Sequence, residues 1–476
     1  MLRSLWLIAV FFSFLGLGSQ APFILALGYV WIDTFRPQEV ATFLLNQIPV
    51  AMIMGAAAVG SYLLMDRRSP PKLNFITVAQ FSLAIWATIT LLWAVSPDRA
   101  LLKWDWAFKT MMFAAFIPFV IRSRIQIEAF LQVYYFSLAA NLLPFGMKTI
   151  LSGGGYGQAL GLSGANYGLG EGSTLAAVSV MTVPIAIYLA NHGQLLPKSL
   201  AVKSMYYGMS ALAIFTTIGT FERTGLVGLV ILGIGIILKS RRKILMLALV
   251  LGIGTLIANA TSGAWTARIS TIGTFQQDSS TMVRIMVWQW TLNYVLANPL
   301  GGGFEMYAIN RIELPTEAMG SEVEVQTGRA FHSIYFEVLG ELGWIGIVLF
   351  VGLLLGAQLI LRRVARLAKT TPGMEWCQDL ARTLQVCLAV MSVCGSFIGI
   401  AYQPFIHYLL ALTVCTAECL RRSMKTAVVG ATGWRAHASR QQGPRADAGV
   451  GAIALPGSAV TAGRRVTDKP FHEPPA

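Results

Sequence analysis

The stretch GRAFHSIYFEVLGELGWIGIVLF, residues 328–350, decides how the rest of the chain is read. It opens as a polar loop, reaches His332, and turns at once into an apolar, glycine-spaced helix. A histidine at the doorway of a hydrophobic segment has two readings. It is a structural residue at a helix start, or a base held where water meets lipid.

Composition extends the apolar reading to the whole chain. Of 476 residues, 55% are hydrophobic and 12% charged, where a soluble protein averages about 25% charged. Mean hydropathy is +0.62. These values exclude an ordinary soluble globule and a disordered chain, and predict an all-α polytopic membrane protein. The net charge of +14 does not point to nucleic acid. The basic residues fall in short runs between apolar segments: Arg67-Arg68, Arg122 to Arg124, Arg241 to Lys243, Arg362 to Arg366 and Arg421-Arg422. That is the pattern of cytoplasmic loops. Membrane lipids, and no nucleic acid, are the expected surroundings. The five cysteines, Cys377, Cys387, Cys394, Cys415 and Cys419, lie in or beside apolar helices and read as small buried residues.

Apolar segments fall near 5–35, 43–65, 73–95, 106–121, 127–146, 173–190, 205–221, 225–238, 243–260, 333–361, 381–400 and 404–420. Each is a candidate transmembrane helix, about twelve in all. The N-terminus resembles a signal peptide in charge and length, but further apolar segments follow immediately, so a retained first span is expected. Segment 5–35 reads as one span kinked at GLGSQAP. With the N-terminus inside and strict alternation, DRRSPPK, RSR, KSRRK, LRRVARLAK and LRRSMK all fall on the same side, with both termini cytoplasmic. Two long segments then face outward, 152–173 and roughly 261–331, and loops of such length are usually functional. Three regions are expected: an N-terminal transmembrane half, 1–200, with the Gly-rich outer loop; a second transmembrane half, 201–425, containing loop 261–331; and a disordered cytoplasmic tail, 426–476.

Chemistry narrows by elimination. Of five histidines, His192 falls in a cytoplasmic loop, and His437 and His472 in the tail. A base acting at the outer face is His332 or, second, His407. An imidazole titrating near about 6.5 suits proton abstraction at neutral pH, and a helix N-terminus disfavours its protonated form. A cap or packed ring is the plain alternative.

TTIGTFERTGLVGLVIL places Glu222 and Arg223 at a tight turn between two apolar spans, a costly position without partners. Arg284 lies on an amphipathic stretch that carries Trp288, Thr291 and Val295 near its face, and ANPLGGG ends that helix in a flexible turn. Arg268, Arg311 and Arg329 are further arginines of the same loop. Each is a snorkelling interfacial residue or a bidentate partner for a diphosphate. SGGGYG and PLGGGF lack the Gly-Lys-Ser/Thr of a nucleotide loop and read as flexible turns. Without HExxH, paired CxxC or clustered carboxylates in the outer loops, neither a catalytic metal nor a cofactor is expected. After His332, Gly340, Gly343 and Gly346 permit close helix contact, and Glu337 and Glu341 are expected to find polar partners.

TFERTGLVGLVIL, VRIMVWQWTLNYVLANPLGGGFEMY and FHSIYFEVLGELGWIGIVLF together resemble the conserved half of the O-antigen ligase and O-antigen polymerase superfamily. That half carries a Ser/Thr-x-Arg-type turn, an Arg…Trp…Pro-Leu-Gly-x-Gly segment and a His-Asn/Ser-x-Tyr…Gly-x-x-Gly helix, matched over about residues 205–420. SGGGYGQALGLSGANYGLGEG is similar to a subgroup, the O-glycosylation ligases associated with exosortase A systems, which has an Asp-Asn pair where this chain has Gly170-Glu171. The resemblance implies a GT-C-like fold with a large periplasmic loop and a metal-independent, inverting glycosyltransferase. The implied donor is a glycan on undecaprenyl diphosphate at the periplasmic face of a Gram-negative inner membrane. His332 takes the catalytic position, Arg223 and Arg284 the diphosphate contacts, and Arg329, Arg311 and Tyr335 are additional candidates. Lipid A-core, a second glycan or a protein would be the acceptor. A lipid-linked sugar transporter is the rival of another class, but its expected internal repeat is not seen. An envelope-assembly scaffold is a third reading.

Overall fold

The computed structural model describes residues 2–41, 44–68, 70–152, 169–239, 243–244, 247–248, 252, 279–314 and 324–441. The chain is mostly helical. In order come α1 (Leu2–Gly18), α2 (Pro22–Phe35), the short α3 (Pro37–Val40), α4 (Val50–Met65), α5 (Phe75–Ile89) and α6 (Pro97–Val120). Then follow α7 (Arg124–Leu151), α8 (Gly172–His192), α9 (Leu200–Gly219), α10 (Arg223–Lys239) and α11 (Ser279–Ala297). An antiparallel ribbon of β1 (Arg311–Leu314) and β2 (Glu324–Thr327) precedes α12 (Ile334–Lys369), α13 (Glu375–Cys394) and α14 (Pro404–Gln441).

Local sequence sets the helix starts. Asn74 caps α5 by accepting the Thr77 N–H at 3.0 Å. Ser123 and Gln126 form a reciprocal capping box at α7. Ser199 caps α9. The centre is α8, packed on α7, α9, α10 and α13 and buried on nearly every face, as expected of a helix apolar all round. α12 packs on α5, α11 and α13, while Val348, Leu355 and Leu359 form an exposed apolar stripe on its other side. Such a stripe suits lipid contact. All five cysteines are buried, as their setting suggested.

Among the described residues, four helices are long and apolar enough to cross a membrane: Phe75–Trp93, Gly172–His192, Ile334–Lys369 and Glu375–Phe397. The sequence reading expected about twelve. Several of the others are shorter, and α6 carries Asp98, Arg99, Lys103, Asp105 and Lys109 within its first thirteen residues.

Residues 5–35 do not form one kinked span. α1 and α2 fold back on each other: the Phe14 and Trp31 rings lie 5.7 Å apart, where a continuous helix would separate them by about 25 Å. The cause is local. Ser19 to Ala21 break the helix, Pro22 restarts it, and Gly18 and Gly28 admit Leu25 and Phe14 at close range. α4 then runs back beside α2, with Gly28 against Met54 and Gly55 against Tyr29, and leads to Arg67-Arg68. Leu2 therefore lies at the end of the bundle opposite those arginines, not with them as the single-span reading had it.

The basic turns at Arg122 to Arg124 and Arg421-Arg422 lie at the Arg67-Arg68 end, where Arg122 faces Asp66 and Arg68; residues 240–242 of KSRRK lie outside the described residues. Arg124 donates to the His192 carbonyl at 3.1 Å, and Arg422 to the Arg122 carbonyl at 3.4 Å. α14 continues to Gln441, into the stretch assigned to a disordered tail, where alanines favour helix. Residues 153–168, with most of the Gly-rich loop, and Arg268 lie outside the described residues, as does the chain after 441.

Candidate active site

The site is built on a break in α12. Gly343 sits at φ 65°, ψ −161°, a conformation only glycine adopts readily. The turn Pro299 to Gly303 docks into that break. Trp344 N–H donates to the Pro299 carbonyl at 3.0 Å, Gly302 N–H to the Gly340 carbonyl at 2.9 Å, and Gly303 N–H to the Glu341 carbonyl at 2.9 Å. A Cβ on Gly343 would lie 2.3 Å from the Pro299 oxygen, and one on Gly301 2.5 Å from the Gly343 nitrogen. The glycines of PLGGG thus allow backbone to meet backbone. This corrects the flexible-turn reading: the turn supplies the N–H groups that the broken helix lacks.

Beneath the turn lies a buried ionic cluster. Glu337 and Glu341 are one helical turn apart on α12, and Lys103 of α6 places Nζ 2.8 Å from a carboxylate oxygen of each. Glu305, just after the docked turn, is 3.4 Å from the same ammonium. Glu337 also accepts the Ala401 N–H, and Glu341 the Glu305 N–H, both at 2.9 Å. Lys103 is 8% exposed and Glu341 0%. Charges this deep persist only when paired and hydrogen-bonded.

His332 stands just ahead of this cluster. Its backbone is left-handed, φ 47°, a conformation that L side chains resist. Three contacts hold the turn. Trp288 Nε1 of α11 donates to the Phe331 carbonyl at 2.8 Å. The Trp288 ring stacks on Phe336 at 5.0 Å. Phe331 packs edge-on to Tyr307 at 5.6 Å and against Gly340. So held, His332 lines a cavity of about 820 Å³ together with Trp106, Tyr307, Tyr402, Gln403 and Arg99. Its side chain is 40% exposed, and its Nδ1 lies 3.5 Å from Glu171 Oε1. Glu171 is the residue before α8, and its other oxygen accepts the Thr174 hydroxyl at 3.1 Å. The two groups are within electrostatic reach, and bonds of this kind often shorten when substrate binds.

The remaining candidates divide. Arg223 opens α10 directly after Glu222, whose carboxylate accepts the Ser173 hydroxyl at 3.0 Å. Its turn therefore abuts the start of α8, beside Glu171. Arg284 is half-buried on α11, one turn before Trp288. The two arginines approach the His332 turn through different elements, and neither lines the cavity. Arg329 donates from Nε to Gln326 at 2.8 Å, Arg311 is exposed on β1, and Tyr335 donates its hydroxyl to the Ser392 carbonyl at 3.0 Å. His407 is fully buried. Gln80 Nε2 contacts its Nδ1 at 2.7 Å and the Ala401 carbonyl its Nε2 at 3.0 Å. A carbonyl only accepts, so Nε2 carries the proton and Nδ1 takes the amide hydrogen. Both ring nitrogens are satisfied, and His407 is structural.

Sequence reasoning missed Lys103, Glu171 and the aromatic wall. The signal for Lys103 was a lysine inside LLKWDWAF together with two glutamates four apart on an apolar helix.

Residues 208–351 match the model of the O-antigen ligase family, and residues 2–194 a family of unknown function (DUF5935). No curated protein matches the chain. Arg223, Arg284 and His332 fall in the first region, Lys103 and Glu171 in the second, so both contribute to the cavity. The chain thus carries an O-antigen ligase domain over residues 208–351, which supports a glycosyltransferase-like ligase role for this helical membrane protein.

Proposed function

We propose that this protein is a metal-independent, inverting glycosyltransferase that moves a glycan from undecaprenyl diphosphate to an acceptor hydroxyl. It acts at the periplasmic face of a Gram-negative inner membrane, in the assembly of lipopolysaccharide or another surface polysaccharide. The observation that carries the reading is His332: a half-exposed imidazole in the ligase domain, held at a cavity by a strained turn and faced by a carboxylate.

Glu171 lies 3.5 Å from Nδ1, so in this mechanism Nδ1 carries the ring proton and Nε2 the lone pair. Nε2 takes the proton of the acceptor hydroxyl as its oxygen attacks the anomeric carbon. The bond from that carbon to the diphosphate breaks, and its electron pair leaves on the phosphate oxygen. Glu171 stabilises the imidazolium. In this reading Arg223 and Arg284 offset the charge on the departing lipid diphosphate. In-line displacement inverts the anomeric centre.

The orientation rests on charge. The described basic turns at Arg67-Arg68, Arg122 to Arg124 and Arg421-Arg422 share one end of the bundle, which the charge rule assigns to the cytoplasm. α8, 21 residues long, separates His192 at that end from Glu171 by about 31 Å, close to a bilayer core. On this reading the α1–α2 hairpin keeps the charge rule, with Leu2 at the opposite, periplasmic end.

The test is reconstitution of the purified protein in liposomes with undecaprenyl-diphosphate oligosaccharide and three acceptors: lipid A-core, a second donor molecule, and a peptide. Product on lipid A-core is expected. Product on the second donor or the peptide would make it a polymerase or a protein transferase, and no transfer to any would refute the reading.

A further inference from the structure

The cavity beside His332 has the wrong charge for a diphosphate. Its lining includes the carboxylates of Asp105, Glu171, Glu305 and Glu337 against two cations, Arg99 and Lys103. Lys103 is already held by Glu305, Glu337 and Glu341. Lys109, just outside, is held by Asp105 at 2.6 Å. Among the described lining residues, carboxylates outnumber cations even with Lys109 counted, four to three. A dianion entering here would meet like charge in a partly desolvated space, an arrangement that excludes ligands.

The same lining fits a sugar ring. Trp106, Tyr307 and Tyr402 supply aromatic rings among the lining, and carboxylates with Gln403 accept hydrogen bonds from hydroxyls. The volume of about 820 Å³ falls within the range of about 300–1,000 Å³ typical of small-molecule sites. Tyr402 is fully buried, lines the cavity, and turns its hydroxyl to the Glu341 carboxylate.

We infer that this cavity is the subsite for the acceptor's sugar, and that it selects a neutral or amino-bearing ring over an acidic one. The inference rests on the transferase reading in one respect: the base must stand beside the attacking hydroxyl, which makes this ring the acceptor's. The diphosphate then lies outside the cavity, toward Arg223 and Arg284. An ammonium on the ring would gain from the carboxylates and the aromatic faces, and a uronate would meet repulsion.

The experiment uses full-length protein in nanodiscs with three soluble probes: methyl glucoside, methyl glucosaminide and methyl glucuronide. Titration calorimetry should rank the glucosaminide tightest and the glucuronide at least about tenfold weaker than the glucoside. Trp106→Ala should weaken glucoside binding about tenfold with an unchanged circular dichroism spectrum. Asp105→Asn should narrow the gap between glucosaminide and glucuronide. In the liposome assay, the glucoside should raise the acceptor KM and leave the donor KM alone. Equal or tighter binding of the glucuronide, absence of binding by all three, or competition against the donor would overturn the inference. Ranked binding by a protein inert in transfer would retain the sugar subsite and refute the transferase reading instead.

Discussion

His332 and His407 both stand near the start of an apolar helix, yet the fold treats them oppositely. His407 is sealed, with Gln80 on one nitrogen and the Ala401 carbonyl on the other. His332 is 40% exposed, strained in its backbone, and has Glu171 on one side and open cavity on the other. The difference teaches that the state of the two ring nitrogens, and not the position of a histidine along a helix, separates a structural ring from a base. The two are also physically linked. Ala401 accepts from His407 and donates to Glu337, one turn along the helix that follows His332. One ring helps to hold the floor on which the other works.

Variants can break that contrast in a graded way. The largest stability effect should come from the shared floor. Lys103→Met leaves three carboxylates around a missing cation, and losing one partner of a buried ion cluster costs about 3–5 kcal/mol. Thermal unfolding in detergent should show it, with partial recovery when Glu341→Gln is added. An unchanged midpoint would mean the cluster is not structural. His407→Ala should cost about 1–3 kcal/mol by stranding the Gln80 amide and the Ala401 carbonyl, and each molecule that still folds should transfer normally. Reduced transfer by folded His407→Ala would erase the contrast. Glu171→Gln should lower transfer roughly tenfold without moving the unfolding midpoint, because a half-exposed carboxylate assists its histidine less than a buried one. A shifted midpoint with normal transfer would make Glu171 a helix-end residue only. Arg329→Ala should change neither stability nor transfer by more than about 0.5 kcal/mol, since its guanidinium is engaged by Gln326 on an exposed ribbon. A large loss of transfer there would move the diphosphate site to the ribbon.

Much of this molecule is legible in its sequence because lipid imposes simple rules. Most described apolar runs became helices, the described basic turns lie together, and elimination narrowed the outer-face base to His332 or His407, with the family resemblance favouring His332. What stayed hidden is the long-range pairing. Lys103 meets Glu337 and Glu341 across 234 and 238 residues, and no local period encodes such a meeting. Glu171 reaches His332 only because α8 and the start of α12 converge on the same cavity. The α1–α2 hairpin was misread for a different reason. GLGSQAP is equally compatible with a kink or a reversal, and packing of Gly28 against Phe14 decides between them. The PLGGG turn shows the same ambiguity: glycine permits flexibility, but here it permits two backbones to touch.

The central claim is that His332 removes the acceptor proton. It is tested most directly by measuring transfer from undecaprenyl-diphosphate oligosaccharide in liposomes for His332→Ala and His407→Ala side by side, each normalised to folded, inserted protein. The account predicts a loss of at least about 10²–10⁴-fold for His332→Ala, the usual worth of a general base, and near-normal transfer for His407→Ala. Full transfer by folded His332→Ala would contradict it.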